Sequence, residues 1–233
     1  AMLLIVHWVL LVAPLGVFAL AFAVAARTGI EVAGTLLHYV FFVVGACLSV
    51  TVLACVTIVL SGRLSLPAFI RAVLPAQVIA ASTQSSLASL PAMIEAAKAL
   101  KVDREVAGIV LPLAVSIFRA ASAAANVTVA VYLAHLHGVP LGQGTLVTGA
   151  LVAAAVSVAA VGVPAQVSFF AIISPVCVAM GVPIDLLPLL LAIESIPDIF
   201  RTLGNVTADL AVVRLVDGPA EGTGVQRSST EQA

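Results

Sequence analysis

Long apolar runs separated by short polar or basic segments dominate the chain. Their hydropathy predicts spanning helices at about 3–26, 32–60, 106–134 and 186–216, each long enough for the ~20 residues a bilayer requires. Two other apolar regions are interrupted halfway. Residues 66–100 carry Ser82-Thr83-Gln84-Ser85-Ser86 at their centre, with Ser89 and Pro91 close behind. Residues 145–180 carry Val161-Gly162-Val163-Pro164-Ala165-Gln166. Each interruption leaves two arms of about 14–16 residues, too short to cross alone. Non-helical backbone at membrane depth must lie inside protein or line a cavity, so these regions predict re-entrant hairpins.

The last apolar segment has a second pattern superimposed on the first. Glu194, Asp198, Arg201, Asn205 and Asp209 follow one another at i, i+4, i+7, i+11 and i+15. At 100° per residue they fall within a sector of roughly 80° on one helix face. Charges in a lipid-spanning helix are costly and face a bundle interior or a water-filled cavity. The spacing therefore predicts a helix that presents a polar ligand or ion site on one side.

Composition puts the whole chain in the bilayer. Apolar residues make up 62% and charged residues 9%, against about 25% charged in soluble domains. The run from Met2 to Ala26 is too long, and lacks the basic start, for a secretory signal. It begins mid-hydrophobe, which leads us to expect further sequence upstream. The net charge of −1 is uninformative, but its distribution is not. Arg63, Arg71, Lys98, Lys101, Arg104 and Arg214 flank one side, and Arg27 alone flanks the other. The positive-inside rule places the first group, and the C-terminus, in the cytoplasm. Hairpin 66–100 with helix 106–134 then recurs, about 80 residues later, as hairpin 145–180 with helix 186–216, entered from the opposite side. The expected fold is an all-α membrane protein: four transmembrane helices plus two opposed re-entrant helical hairpins in an inverted repeat. Residues 1–60 would form two transmembrane helices, the first scaffold-like, residues 61–216 a transport core, and residues 217–233 a disordered cytoplasmic tail. Broken hairpins meeting near the midplane of an inverted repeat point to the binding site of a secondary transporter.

The run Asp198-Ile199-Phe200-Arg201-Thr202-Leu203-Gly204-Asn205-Val206-Thr207-Ala208-Asp209 resembles the final helix of the dicarboxylate/amino acid:cation symporters, the glutamate transporter family. The likeness extends to the serine-rich tip Ala81–Pro91, to Leu111-Pro112-Leu113, to Gly162-Val163-Pro164, and to Ala13-Pro14-Leu15-Gly16-Val17-Phe18-Ala19-Leu20. It covers about 1–216, equivalent to that family's last four membrane helices and both hairpins. The resemblance implies symport of glutamate, aspartate or a related dicarboxylate through the cell (inner) membrane by an elevator-like movement, in a homotrimer built on amino-terminal helices. Arg201 would clamp the distal carboxylate of the substrate, and Asp198 would receive its ammonium group. Asn205, Thr202 and Ser122 would hold neighbouring groups. Ser85 and Ser86 would supply donors from the first tip, and the backbone of Gly162, Val163 and Pro164 would close as the second. Asp209 would be a cation ligand. Backbone carbonyls of Asn205, near Ala114 and Ser116, and around Ser157 to Ala160 would complete the cation sites.

One motif departs from the family. Where relatives have Asn-Met-Asp-Gly-Thr, this chain reads Phe118-Arg119-Ala120-Ala121-Ser122. Two oxygen-bearing sodium ligands become Phe118 and Ala120, which is at odds with at least one sodium site, since hard cations need several oxygen ligands. Arg119 would neutralise Asp198, Glu194 or Asp209 in place of a bound cation, with coupling by fewer sodium ions or by a proton on Glu194. A snorkelling arginine in a degenerate site is the competing reading.

Blander readings stand beside the others. The stripe of charges would serve structure alone if it formed interhelical salt bridges, although five polar groups exceed what packing requires. The serine tip would be a kink if it lay in a helix interface. His135 and His137 read as a solvated loop pair, His7 and His38 as interfacial, and Glu95, Lys98, Lys101 and Glu105 as a solvated turn. Cys47, Cys55 and Cys177 have no metal or disulfide spacing and read as core residues. No enzyme motif and no organic cofactor site is present, and no basic face exists for nucleic acid. The partners expected are a small acidic solute and the lipid bilayer. The alternatives to a symporter are a truncated, non-transporting substrate-binding core and an anion leak.

Overall fold

The computed structural model describes residues 2–160, 162 and 164–217. Among them every regular element is helical: α1 Met2–Leu60, α2 Leu66–Thr83, α3 Ser86–Ala99, α4 Arg104–Ile117, α5 Ala120–Leu136, α6 Gln143–Ala159, α7 Ala165–Ala179, α8 Leu187–Leu191 and α9 Ser195–Val216. The expected disordered tail lies, from residue 218 onward, outside the described residues, as do Val161 and Val163.

The helices end where local chemistry stops them. Pro67 opens α2, where a missing N–H costs nothing, and Gln84 ends it in the left-handed region at φ 51°. Ser85 then caps α3 by accepting from the Ala88 N–H at 3.2 Å. Helices α3, α5 and α7 close with one motif. The N–H groups of Val102, Val139 and Val182 reach back to the carbonyls of Ala97, Ala134 and Cys177. Lys101, Gly138 and Gly181 take the left-handed position that this wrap requires. Val102 and Val182 are 80 residues apart, the offset of the internal repeat read in the sequence.

Packing is organised around α9, which touches α1, α2, α3, α4, α5 and α7. One apolar cluster joins Ala54 and Ile58 of α1 to Phe69, Val73, Met93, Leu100 and Leu111, against Leu210 and Val213 of α9. The other joins Tyr39, Val43 and Cys47 of α1 to Val129, Leu133, Phe169, Ile173, Leu187 and Leu190. The polar stripe of α9 runs between the two clusters. At Gly204 the crossing is so close that an added Cβ would stand 2.6 Å from the Cβ of Ala121 and 3.2 Å from the carbonyl oxygen of Cys47. Only a hydrogen fits there.

Polarity is inverted relative to a soluble protein. Leu37, Phe41, Ile109, Leu151 and Val178 are exposed, while Glu194, Asp198, Arg201, Asn205 and Asp209 are buried. This is the distribution expected when the surrounding solvent is hydrocarbon. Among the described residues, three segments are long and apolar enough to cross a membrane: the helical stretches Ala33–Leu60 and Leu66–Thr83, and Arg104–Leu136, which comprises α4 and α5.

Four features differ from the sequence expectation. The spans expected at 3–26 and 32–60 are continuous in α1. The intervening Arg27-Thr28-Gly29-Ile30-Glu31 contains no proline, and one glycine costs a helix only about 1 kcal/mol. Segment 106–134 is not one helix, since α4 stops at Ile117 and α5 starts at Ala120, with extended-side ψ values of 78° at Phe118 and 60° at Arg119. Segment 186–216 is divided by turns at 192–194 into α8 and α9. Finally, α2 meets the length and apolarity of a span, whereas α9 is absent from that set. The charged stripe lowers the mean hydropathy of α9 without removing it from the centre of the fold.

Candidate functional site

All five stripe residues are at most 4% exposed, and most residues on the other faces of α9 are buried too, so the helix is enclosed nearly all round. Glu194 precedes the first turn of α9 in helical conformation, and the Asp198 N–H donates to its carbonyl at 2.9 Å. That preserves the helical phase across the break and brings Glu194 over Arg201, two turns on. Arg201 Nη2 donates to Glu194 Oε1 at 2.5 Å, and Tyr39 Oη donates to Glu194 Oε2 at 2.5 Å. Both carboxylate oxygens of a fully buried glutamate are thus satisfied, as burial demands. Arg201 Nε has no hydrogen-bond partner among the described residues, so the guanidinium retains donor capacity.

Asn205 does something the stripe alone does not disclose. Its Oδ1 accepts from the N–H groups of Ala121 at 3.0 Å and Ser122 at 3.2 Å, and its Nδ2 donates to Ser122 Oγ at 2.8 Å. Arg119, at the N-cap position of α5, provides no side-chain cap. The start of α5 is therefore capped from another helix, which satisfies donors that a mid-membrane break would leave unpaired. Since Oδ1 is occupied, any cation at Asn205 would use its backbone carbonyl. Thr202 Oγ1 donates to the Asp198 carbonyl at 2.9 Å. One turn beyond Asn205, Asp209 is fully buried and neither carboxylate oxygen has a hydrogen-bond partner among the described residues. Burial of a bare carboxylate is relieved by a proton or by a cation. Phe118, half exposed and apolar, and Ala120 offer no side-chain oxygen to a cation.

The two interrupted regions meet at their tips. Ser85 Oγ donates to the Gly162 carbonyl at 2.7 Å, and the Leu87 N–H reaches the same oxygen at 3.3 Å. A Cβ on Gly162 would stand 3.3 Å from that backbone nitrogen, with Ser86 at 3.7 Å, so glycine permits the approach. Pro164 begins α7 and is buried. From the break between α4 and α5, Arg119 Nη1 donates to the Ala160 carbonyl at 3.2 Å. A narrow cavity lies beside this contact, bordered by Arg119 and Arg201 and by Ser122, Asn126, Ser157 and Ser168. At about 10 Å³ it has room for no more than a single water molecule, so in this arrangement the two guanidinium groups border a space closed to larger solutes.

The structure gathers Glu194, Asp198, Arg201, Thr202, Asn205, Ser122, Arg119 and Asp209 on or beside one helix face, and Ser85, Ser86, Gly162 and Pro164 at one junction. Ser157 is buried and accepts from Asn126 Nδ2 at 3.1 Å. Ser116 does not turn inward. Its exposed hydroxyl bonds back to the Pro112 carbonyl at 2.7 Å, leaving only its backbone for any ligand role. Val163 lies outside the described residues. Tyr39, Asn126 and Ser168 were missed, because a single hydroxyl or amide in an apolar helix carries no periodic signal. The loop pair resolves simply, with His137 Nε2 3.5 Å from Asp185 Oδ1 and no cluster of three metal-binding side chains among the described residues. Lys98 and Glu95 form the exposed pair of a solvated turn.

Comparison with known proteins agrees with this architecture. Residues 1–218 match the model of the sodium:dicarboxylate symporter family. The chain is 29% identical over 220 residues, 91% of its length, to a putative sodium-dependent excitatory amino acid transporter, glt-4, of Caenorhabditis elegans. It is 27% identical over 212 residues, again 91% of its length, to the proton/glutamate-aspartate symporter of Escherichia coli (strain K12). With human excitatory amino acid transporter 5 it shares 32% over 142 residues, 60% of the chain. The chain spans 43%, 48% and 25% of those proteins respectively, half their length or less. With the family model covering all but the last residues, this non-enzymatic integral membrane chain belongs to the sodium:dicarboxylate symporter family.

Proposed function

We propose that the chain is the transport core of a symporter that moves an acidic amino acid, glutamate or aspartate, or a close dicarboxylate across the cell membrane with sodium ions, protons or both. The observation that carries this reading is the buried Arg201–Glu194 pair beside the junction of the two tips. The substrate is held between those tips and α9. Its distal carboxylate takes the donors of Arg201, Asp198 receives its ammonium group, and Thr202, Asn205 and Ser122 position the remainder. Ser85 and Ser86 face it from the first tip, and the backbone of Gly162, Val163 and Pro164 closes from the second. Both hairpins are re-entrant and inverted with respect to each other, and the C-terminus is cytoplasmic. With amino-terminal scaffold helices the assembly is a trimer whose cores slide as elevators.

Glu194 neutralises Arg201. An arriving carboxylate competes for that guanidinium and leaves Glu194 with the Tyr39 hydroxyl. A carboxylate losing its cation in a buried site favours protonation, which makes Glu194 a route for proton coupling. Asp209 serves as ligand for the coupling cation. A second reading is a substrate-binding core that does not transport, since the residues named above would hold the solute in either case.

The test is Arg201→Ala in the intact protein, read by binding calorimetry with aspartate and with a neutral amino acid. Aspartate affinity should fall roughly 100-fold, since losing a charge-assisted pair costs about 3 kcal/mol, while the neutral amino acid remains measurable. Unchanged aspartate affinity overturns the assignment. Binding without uptake in reconstituted liposomes establishes the second reading.

A further inference from the structure

Three buried carboxylates, Glu194, Asp198 and Asp209, face two buried guanidinium groups, Arg201 and Arg119. The remaining buried arginine, Arg214, pairs with Asp217 at the far end of α9 and stands apart from this group. The site thus carries one excess negative charge, and an acidic amino acid adds one more. Uncompensated charge in a low-dielectric interior is strongly disfavoured, so the loaded site calls for two monovalent cations. Without Arg119 it would call for three.

Arg119 is placed to make that difference. It stands in the break between α4 and α5, next to the residues whose N–H groups Asn205 caps. It is buried, within Coulombic range of the Arg201 guanidinium as well as of Asp198 and Asp209, and it holds the Ala160 carbonyl. In the same turn, the side chains of Phe118 and Ala120 lack the oxygen atoms that a hard cation would need.

We propose that Arg119 is a resident counter-ion that replaces one coupling cation and latches the second tip, so that this protein couples each acidic substrate to two monovalent cations rather than three. A guanidinium suits both tasks at once, because its charge is permanent and its fork donates in several directions. A bound sodium ion leaves with the substrate, whereas Arg119 stays. The inference rests on the symporter reading and refines its stoichiometry.

The experiment is a reversal-potential measurement of radiolabelled aspartate flux in proteoliposomes of the intact protein, with sodium and proton gradients set independently. Two cations in total per aspartate are expected, and three overturn the proposal. Calorimetric aspartate binding supplies the variant arm. Arg119→Met should weaken binding roughly tenfold or more, and Arg119→Lys should restore most of it because the charge returns. Binding by Arg119→Met within about twofold of the parent, or an Arg119→Lys variant no better than Arg119→Met, overturns it. Failure of the parent protein to bind aspartate under any gradient sinks the symporter reading itself, an outcome distinct from all of these.

Discussion

At the first tip, Thr83, Ser85 and Ser89 satisfy the broken backbone with their own hydroxyls. Ser85 caps α3, Ser89 Oγ donates to the Ser85 carbonyl at 2.9 Å, and the Ser85 N–H donates to Thr83 Oγ1 at 3.3 Å. At the second tip neither Ala160 nor Pro164 contributes a side-chain cap. Its carbonyls at Ala160 and Gly162 instead receive donors from Arg119, Ser85 and Leu87, all on other elements. Among the described residues, the first tip is restrained by its own hydroxyls, and the carbonyls of Ala160 and Gly162 at the second are bonded from other elements.

The largest way to break this contrast is to part the tips. Gly162→Val places a branched side chain where even a Cβ meets the Leu87 backbone at 3.3 Å. Aspartate binding to the intact protein should weaken by roughly 100-fold, as expected for about 3 kcal/mol of overpacking. Near-normal affinity in that variant would mean the tips need not touch. Ser85→Ala is the next test, because that hydroxyl both caps α3 and donates to Gly162. Losing a cap and one buried hydrogen bond costs about 1–2 kcal/mol, and titration should show roughly tenfold weaker binding with a lower unfolding temperature. A melting change without a binding change would confine Ser85 to the first tip. Ser89→Ala should have the smallest effect. It removes a bond local to the first tip, so about 1 kcal/mol of stability should go while affinity is retained, as paired melting and titration curves would reveal. Weaker binding in Ser89→Ala would erase the distinction between the two tips.

Much of the site was legible in the residue order. The five-residue stripe on α9 is buried throughout, and the two polar interruptions became the two tips. Resemblance at Phe118-Arg119-Ala120 marked the place where chemistry departs from relatives. The break of helix 106–134 at that motif was not legible, because Ile117, Phe118, Ala120 and Ala121 continue an apolar run without proline or glycine. What breaks the helix is Asn205, 84 residues from Ala121 in sequence, whose amide substitutes for the missing helical bonds. Likewise, α1 runs through residues 27–31 because nothing there forbids a helix.

Residue order by itself determined the class of solvent around this protein, the grouping of the charges on one side of α9, and the two points where apolar helices are interrupted. Those properties follow from hydropathy and helical period, which depend only on neighbours a few residues away. Tertiary structure alone decided the pairings: Glu194 rather than Asp198 on the Nη2 of Arg201, Tyr39 on the other glutamate oxygen, Asn205 on the start of α5, and Arg119 on the second tip. Each requires two atoms from distant segments to meet at hydrogen-bond distance. A one-dimensional pattern can name the charges, but only the packed fold selects which of them touch.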